Sequence, residues 1–447
     1  MILTRPFRKP FWIINSFFKK HRRLIGLVTV VVILFLLASK NLISLLPKIK
    51  PQQKIGLVGQ YTLANLPDSV QSVFSRSLIN LSESGEIVAG LAENWEVSED
   101  ETLYRIYLPP QIFWSDNTLI KSQDITFDIP DVTVSYPGDN VIAFKLKESF
   151  SPFLVTLNRP IIKNNQVTAG DYLIKKIRFS GPYLKIINLT SPTQNLTFKF
   201  YPSNEAAWQG FKLGEVNQLK NLISNPLTDD WQKKIKLEQS INYHQYLAVI
   251  FNLSSPQFGN KSLRQALAYA IKEKSGSADN RAFGPISPLS WAYNPNLKSY
   301  DYNPAQAKEL YQKAVEEASL SAQLEISLGT SQTFLPLAES IAKSWQEILN
   351  IKTNVKIINS IEPDFQAILV AQEIPPDPDQ HALWHSTQPT NITHYSDLKI
   401  DKLLEDGRKI SDPVKRKEIY RDFQRFLVED SPAIFLQYPT IYTVIRR

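Results

Sequence analysis

The chain has 447 residues, no cysteine and a formal net charge of +7. This length exceeds what one hydrophobic core usually supports, so we expect two lobes with room for a cleft between them. The absence of cysteine excludes disulfides and thiolate metal sites. Eleven of the 50 basic residues precede the first acidic residue, Asp68, so the rest of the chain has a small acidic excess. Nucleic-acid binding by the whole chain is therefore excluded, because no basic excess remains for phosphates.

The first fifty residues have the pattern of a membrane anchor. Residues 1–23 carry seven Lys or Arg, and the fifteen residues from Leu24 to Ala38 are apolar. Positive charge before an apolar helix predicts a cytoplasmic N-terminus and an extracellular or periplasmic remainder. Fifteen helical residues reach about 22 Å, less than a hydrocarbon core of about 30 Å, so we predict a transmembrane helix over residues 24–46. Residues 47–54 then form a linker, and a cleaved signal peptide is the alternative.

A strand, a turn and a hairpin follow in the next hundred residues. Residues 91–125 have the sequence LAENWEVSEDETLYRIYLPPQIFWSDNTLIKSQDI. Alternation places Tyr104, Ile106 and Leu108 on one face of a half-buried strand. Residues 132–147 predict a β-hairpin around a Pro-Gly-Asp-Asn turn. No catalytic group accompanies these elements, which favours a binding protein over an enzyme.

The order of these elements resembles the opening of the family 5 extracellular solute-binding proteins, the dipeptide and oligopeptide receptors of bacterial ABC importers. In that family a Leu-Ala-Glu-x-Trp entry leads to a Trp-Ser-Asp-Gly-Thr turn. Four later passages continue the resemblance in the family's order: AGDYLIKKI (169–177), FKFYPSNEAAWQGFKLGEVNQL (198–219), FNLSSPQFGNKSLRQALAYAIKEK (251–274) and the passage from Asp-Pro to Glu-Asp-Ser-Pro (412–432). Relatives place a helix and a longer excursion after the Asp124-Ile125 position, so we expect a reduced accessory domain here.

The resemblance covers about residues 60–447 and implies an α/β fold of the type II periplasmic-binding-protein class. This fold has two lobes with a cleft, and the connecting strands cross between the lobes twice. We expect the crossovers near Tyr243 to Asn252 and near Ser431 to Tyr438. The expected domains are lobe I with its reduced accessory sheet domain (55–240), lobe II (241–430) and a return to lobe I (431–447).

Several helices in the C-terminal half show a buried face. Residues 324–328, 337–349 and 353–358 compose a strand, a helix and a strand, which favours parallel pairing. Trp345 belongs to the buried face of that helix. Arg264 and Gln265, although part of a family-like passage, are expected to be structural.

Enzyme motifs are missing from the sequence. It contains no glycine-rich phosphate loop and no Gly-x-Ser-x-Gly elbow, so the chain is not the transporter's ATPase. His381 and His385 are four residues apart with His394 nearby, a spacing that can hold a metal on one helical face. The intervening residues omit the glutamate that a zinc hydrolase needs as its base. We therefore predict no enzymatic activity and no cofactor or metal, with a metal-dependent hydrolase as an alternative.

The passage PPDPDQHALWHSTQPTN (375–391) is where the resemblance bears on ligand binding. In peptide-binding relatives an aspartate about four residues before the Asp-Pro pair binds the ligand's amino terminus, and that position here is Ile374. A buried ammonium needs a counter-charge. Glu373, Asp377 or Asp379 can supply it; otherwise the receptor does not recognise a free amino terminus.

The predicted ligand-binding residues are aromatic, amide and acidic side chains near lobe edges or crossovers. They are Tyr61, Trp114, Tyr246, Glu373, Asp377, Trp384, Asn391 and Tyr395.

The expected function is capture of an extracellular peptide or similar solute and its delivery to an ABC permease. The resemblance implies permease and ATPase subunits as partners, and the predicted N-terminal helix implies attachment to the membrane. A membrane-anchored sensory or scaffolding protein is the alternative, as is a binder of metal chelates or glycans.

Overall fold

The structure is a computed structural model of the whole chain. It describes residues 16–33, 50–63, 65–164, 166–226, 231–272, 274, 280–318 and 324–447. The chain divides into two units, Met1–Pro51 and Gln52–Arg447.

In the first unit the structure describes residues 16–33, which are helical (α1), and residues 50 and 51. Among the described residues, no helix combines the length and apolar character that a membrane span requires. The predicted span over residues 24–46 is described only as far as residue 33. Residues 34–46 lie outside the described residues, as do residues 1–15 of the predicted basic segment.

The second unit contains all the described strands and the remaining helices. The strands are β1 (Gln52–Val58), β2 (Ile79–Leu81), β3 (Ile87–Ala89), β4 (Asn94–Val97), β5 (Leu103–Tyr107), β6 (Val132–Gly138), β7 (Val141–Leu146), β8 (Ile162–Lys163), β9 (Val167–Thr168), β10 (Leu173–Ser180), β11 (Tyr183–Thr190), β12 (Asn195–Tyr201), β13 (Gln218–Leu222), β14 (Ile235–Ile241), β15 (Gln245–Phe251), β16 (Glu325–Thr330), β17 (Lys352–Ile357), β18 (Ala367–Glu373), β19 (Ala433–Gln437) and β20 (Thr440–Arg446). The helices are α2 (Asp68–Phe74), α3 (Asn204–Lys212), α4 (Lys261–Ala270), α5 (Pro304–Ala318), α6 (Leu335–Leu349), α7 (His381–Trp384), α8 (Leu398–Lys409) and α9 (Pro413–Asp430).

A seven-stranded sheet has the order β10-β11-β12-β1-β13-β20-β14. Its central strand β1 pairs in parallel with both β12 and β13. Ile55 and Leu57 pack on one face with Phe198 and other apolar residues, and α3 covers the opposite face through Trp208 and Phe211. A strand buried on both faces is typical of a parallel sheet centre.

A separate four-stranded sheet has the order β4-β5-β7-β6. Tyr104 and Ile106 are buried in it while Arg105 between them is exposed, which confirms the predicted alternation. The predicted hairpin is also confirmed, because Val132 pairs with Leu146 and Gly138 with Val141. Seven residues, 125–131, separate the preceding 3-10 turn (Ser122–Asp124) from this hairpin.

A five-stranded sheet, β17-β16-β18-β15-β19, forms the core of the C-terminal half. The predicted strand-helix-strand unit is confirmed as β16, α6 and β17, and the two strands pair in parallel. Trp345 on α6 is fully buried and its Nε1 donates to the carbonyl oxygen of Leu267 at 3.0 Å. The side chain therefore fixes α6 against α4.

The chain passes between the seven-stranded and five-stranded sheets at two points, from β14 to β15 and from β19 to β20. The two connections lie side by side: the amide of Asn242 donates to the carbonyl oxygen of Pro439 at 2.9 Å. The rings of Tyr243 and Tyr438 meet edge to face with centroids 5.1 Å apart.

The structure places the second passage later than the sequence suggested. We expected the return to lobe I to begin at residue 431. Residues 433–437 instead form β19, in which Phe435 pairs with Ala248 of the five-stranded sheet. The change of sheet therefore falls between Gln437 and Thr440, because ladder pairing with β15 keeps this apolar strand in the five-stranded sheet.

Candidate functional site

The first part of the candidate site lies where the chain crosses between the sheets, at residues 242–244 and 438–439. We call this region, with the nearby Tyr61 and Glu373, the crossover edge. Tyr61 follows β1, and its hydroxyl donates to the carbonyl oxygen of Val58 at 3.0 Å. Burial raises the pKa of Tyr61; a hydrogen bond with Asn221 opposes this shift and the negative charge of Glu373 adds to it. Tyr61, which follows β1 of the seven-stranded sheet, therefore interacts electrostatically with Glu373 at the end of β18 in the five-stranded sheet.

A glycine lets the Tyr61 ring fold back onto the backbone. Gly59 has φ +137°, and a Cβ there would lie 2.6 Å from the Tyr61 ring. The ring also meets Phe200 at a centroid distance of 5.6 Å. Residues with side chains are strained at such a φ, so glycine at position 59 fixes where the Tyr61 hydroxyl lies.

The three carboxylates that we proposed for a ligand ammonium differ in what they already bind. Asp377 is buried and receives two hydrogen bonds from Arg416, at 2.9 and 2.5 Å. Asp379 accepts from Nε of Arg408 at 2.9 Å. Glu373 is exposed at the end of β18, and no ion pair joins it to any described residue. Of the three, Glu373 is the carboxylate whose charge is still open to a ligand.

Arg416 is held as a cation inside the protein. Burial alone would lower the pKa of Arg416, but the adjacent Asp377 carboxylate outweighs that effect and raises it. The guanidinium also donates from Nε to the carbonyl oxygen of Gly407 at 2.8 Å and lies 5.5 Å from the ring of Trp291. These contacts tie the segment after β18 to α8 and α9.

The second part of the candidate site is a cavity of about 680 Å³ between the four-stranded sheet and the start of α9, which we call the α9 cavity. Its walls combine apolar side chains with charges of both signs. The lining includes Ile87, Val97, Glu99, Glu101, Tyr104, Leu154, Trp291, Asp377, Val414, Arg416 and Lys417. The volume and the mixed walls are typical of small-molecule sites.

Direct contacts hold the two sides of the α9 cavity together. The Trp291 amide donates to the carbonyl oxygen of Ser84 at 3.0 Å, and the Ser151 amide donates to that of Arg408 at 2.7 Å. The Glu101 carboxylate accepts hydrogen bonds from Ser149 on one side and Ser411 on the other. A Cβ at Gly85, which has φ +80°, would lie 2.6 Å from the carbonyl oxygen of Pro376.

Five predicted ligand residues lie in the core instead of lining the α9 cavity. Trp114, Tyr246, Trp384, Asn391 and Tyr395 are each at most 4% exposed. Trp114 packs inside the four-stranded sheet domain. Tyr246 packs against Phe435 with ring centroids 5.1 Å apart. Contact of these five side chains with a ligand stays a prediction.

The last two of these residues have internal hydrogen-bond partners. The side-chain amide of Asn391 donates to the carbonyl oxygen of Tyr395 at 2.9 Å, and the hydroxyl of Tyr395 donates to the Asp430 carboxylate at 2.7 Å. Burial, followed by this hydrogen bond, raises the pKa of Tyr395. Both side chains therefore stabilise the loop before α8.

Comparison with known proteins agrees with this architecture. Residues 192–394 match the model of the bacterial extracellular solute-binding proteins, family 5 (middle part). The chain is therefore similar to family 5 of the extracellular solute-binding proteins. It is 23% identical to the oligopeptide-binding protein AppA of Bacillus subtilis over 87% of each chain. It is 22% identical to the dipeptide-binding protein of Escherichia coli, over 81% of this chain and 83% of that one.

Solved structures show the same α/β fold. NikZ from Campylobacter jejuni, in complex with Ni(L-His), aligns with a TM-score of 0.74 at 21% identity, covering 89% of this chain and 94% of that one. AppA from Bacillus subtilis, in complex with a nonapeptide, aligns with a TM-score of 0.69 at 19% identity, covering 89% and 95%. The chain therefore has the periplasmic-binding-protein fold that the sequence implied.

Sequence reasoning missed Arg416 and Trp291, which line the α9 cavity. It also gave no role to Gln380, which is fully buried with neither side-chain amide atom hydrogen-bonded to a described residue. Arg416 is 39 residues from its partner Asp377, so no local pattern connects them. Gln380 lies inside the passage 375–391, in which the family resemblance bears on ligand binding, and that position was a signal for it.

The histidines of α7 form a stacked pair. The His381 and His385 ring centroids are 4.1 Å apart with an interplanar angle of 22°. Nδ1 of His385 accepts the Thr387 amide at 3.2 Å, which assigns its proton to Nε2, 3.5 Å from Glu405. Among the described residues no group of three or more His, Cys, Asp or Glu could hold a metal ion. His394 is exposed and outside this pair.

The His381 ring makes stability depend on pH. Burial, followed by the positive charge of Arg408 and the neighbouring His385 ring, lowers the pKa of His381 to about 4, while Glu405 and Asp401 oppose the shift. In the unfolded chain the pKa is about 6.5, so between these values the unfolded state binds the extra proton. Stability from this group is present above about pH 6.5 and is lost as the pH falls towards about 4.

We expect His381→Gln to reduce the loss of stability on acidification. The measurement is urea unfolding of the full chain at pH 7 and at about pH 4.5. His244→Gln, at an exposed histidine, is the matched control and should follow the wild type. An unchanged acid dependence in His381→Gln would contradict the assignment.

Proposed function

We propose that this chain is the substrate-binding component of an ABC importer that captures extracellular peptides or similar oligomeric solutes. The observation that carries the proposal is a family 5 fold whose two larger sheets are joined by neighbouring connections, with an open carboxylate beside them. Relatives over most of their length are named as binders of oligopeptides and dipeptides. The permease and ATPase would be separate subunits.

Binding would proceed by lobe closure. The seven-stranded sheet with the four-stranded sheet forms lobe I, and the five-stranded sheet forms lobe II. A solute between them shifts the equilibrium towards the closed form because that form contacts it from both sides. We propose that the solute lies at the crossover edge between Tyr61 and Glu373 and extends towards Asp377 and the α9 cavity.

Glu373 is proposed to bind the ligand's ammonium group. It takes the role that the family pattern gives to a carboxylate at position 374, which here is Ile374. Asp377 and Asp379 cannot do so without releasing Arg416 and Arg408. The neighbouring position on β18 supplies the charge instead.

The experiment is calorimetric titration of the full chain with peptides of two to nine residues. Glu373→Gln should weaken binding of peptides with a free amino terminus about 10- to 100-fold, because a hydrogen bond to a charged group contributes about 1.5–3 kcal/mol. N-acetylated peptides should bind both proteins equally. Glu362→Gln, at another exposed glutamate, is the control.

Two results would overturn these proposals separately. If peptides bind and Glu373→Gln binds them as tightly as the wild type, the role of Glu373 is wrong. If no peptide binds or raises the melting temperature, peptide capture is wrong.

We also propose that residues 24–46 anchor the protein in the cell membrane as a single span, with residues 1–23 cytoplasmic and the second unit extracellular or periplasmic. The seven basic residues before the apolar run support this orientation. Tethering would raise the receptor's concentration near its permease. Recovery of the full-length chain in the soluble fraction of its host cells would contradict anchoring.

A further inference from the structure

β10, one of the two outer strands of the seven-stranded sheet, has a free edge. β10 pairs with β11 on one side. On the other side, the amide of Ile174 donates to the carbonyl oxygen of Gln166 at 2.8 Å. From Lys175 to Ser180, no backbone hydrogen bond joins the outer side of β10 to any described residue. An edge of this kind presents N–H and C=O groups that can pair with another strand.

This edge carries a concentration of positive charge. Lys175, Lys176 and Arg178 are exposed, and none forms an ion pair with a described residue. The sequence has no acidic residue between Asp171 and Glu205. Two copies of β10 would bring these like charges together, which disfavours self-pairing. The positive charge therefore favours pairing of β10 with an acidic strand over pairing with a second copy of this chain.

A cavity of about 290 Å³ lies along the same edge. Its apolar walls come from Leu63, Ile174, Ile177 and Phe179, with Lys175 and Lys176 beside them. Phe179 is 50% exposed, so its ring is open to a partner. Strand addition draws affinity from main-chain hydrogen bonds and specificity from pockets for alternate side chains. An apolar side chain between two acidic ones would fit this arrangement.

We propose that β10 is a docking site for an extended acidic segment of a partner protein, which adds to the sheet as an eighth strand. Its main chain pairs with residues 175–180, its acidic side chains meet the three cations, and an apolar side chain enters the cavity. The site adjoins the crossover edge, because the amide of Leu184 in β11 donates to the carbonyl oxygen of Tyr61 at 2.7 Å. A partner bound there would lie next to the proposed solute site without occupying it.

The probe is a fluorescein-labelled peptide of seven residues that alternates glutamate and leucine, acetylated and amidated at its ends. Blocked ends remove the free amine on which the proposed Glu373 contact depends. Fluorescence anisotropy with the full chain should show saturable binding that weakens with salt. The same peptide with lysine in place of glutamate should not bind. Methylating alternate peptide nitrogens should weaken binding at least about tenfold, because it removes donors to the strand edge.

Charge reversal on the protein provides the matched test. Lys176→Glu with Arg178→Glu should weaken binding at least about tenfold, since each attraction becomes a repulsion of similar size. Lys308→Glu with Lys356→Glu changes the net charge equally at exposed sites elsewhere and should stay within about twofold.

The proposal would be overturned if the acidic peptide does not bind at about 1 mM, if its N-methylated form binds equally well, or if both charge reversals weaken binding equally. The N-methylated peptide tests the wild-type protein, so a variant that fails to fold does not leave the proposal undecided. Binding that Glu373→Gln abolishes would assign the peptide to the solute site and also reject docking at β10.

Discussion

Asp377→Ala is expected to lower the free energy of unfolding by about 3–5 kcal/mol, the effect of leaving a buried charge without its partner. Asp377 and Arg416 are each 7% exposed and share two hydrogen bonds. Without the carboxylate, the guanidinium would stay buried against Trp291 and Tyr420 with no counter-charge. Urea unfolding of the full chain, followed by tryptophan fluorescence, measures the change.

Two further variants separate this effect from simple loss of an ion pair. Asp377→Ala with Arg416→Met should recover part of the lost stability, because no unpaired charge remains. Asp406→Ala removes the exposed pair with Lys402 and should cost about 1 kcal/mol or less. A loss at Asp377 as small as that at Asp406 would show that Arg416 is solvated and that the pair does not fix α9.

Arg264→Met is expected to cost at least about 3 kcal/mol, because several buried carbonyl groups would lose their donors at once. The guanidinium donates to Phe258 and Gly259 at 2.6 and 3.2 Å and to Asp430 and Ser431 at 2.5 and 3.0 Å. It therefore joins the start of α4 to the end of α9. Burial lowers the pKa of Arg264, and the charge of Asp430 opposes that shift.

Lys261→Ala is the matched control on the same helix. Lys261 also binds Asp430, at 2.8 Å, but both side chains are partly exposed, so its removal should cost about 1 kcal/mol or less. Similar losses for the two variants would contradict a special role of Arg264. Thermal unfolding of both variants checks the ranking independently of denaturant.

Local patterns predicted much of the fold. The alternation around Tyr104 and the hairpin of β6 and β7 follow from side-chain period and turn chemistry, which act over a few residues. The apolar face of α6 similarly predicted the burial of Trp345. Arg264 was expected to be structural, and its four carbonyl contacts agree with that expectation.

The site was harder to predict because its properties depend on distant partners. Asp377 and Glu373 have similar chemistry in the sequence, yet one is neutralised by Arg416 from α9 and the other is not. Aromatic residues such as Trp384 and Tyr395 lie in or near the passage that the family resemblance marks for ligand contact. Tertiary packing, however, decides which of these side chains are exposed to solvent. The position of the second crossover also depended on strand pairing with β15, which apolar composition alone does not specify.

The side-by-side connections at Asn242 and Pro439 limit how the two larger sheets can reorient. Their backbone hydrogen bond and the Tyr243–Tyr438 contact tie both connections at one place. If the two connections moved independently, the sheets could twist and slide relative to each other. Because the connections are held together, the main motion left to the sheets is a rotation about one hinge axis. The proline ring fixes φ at residue 439, so rotation there must fall on the remaining backbone torsions. Opening of the molecule would then be described by nearly one variable, the angle of this hinge rotation. The distance between one label on each of the two larger sheets would report that angle.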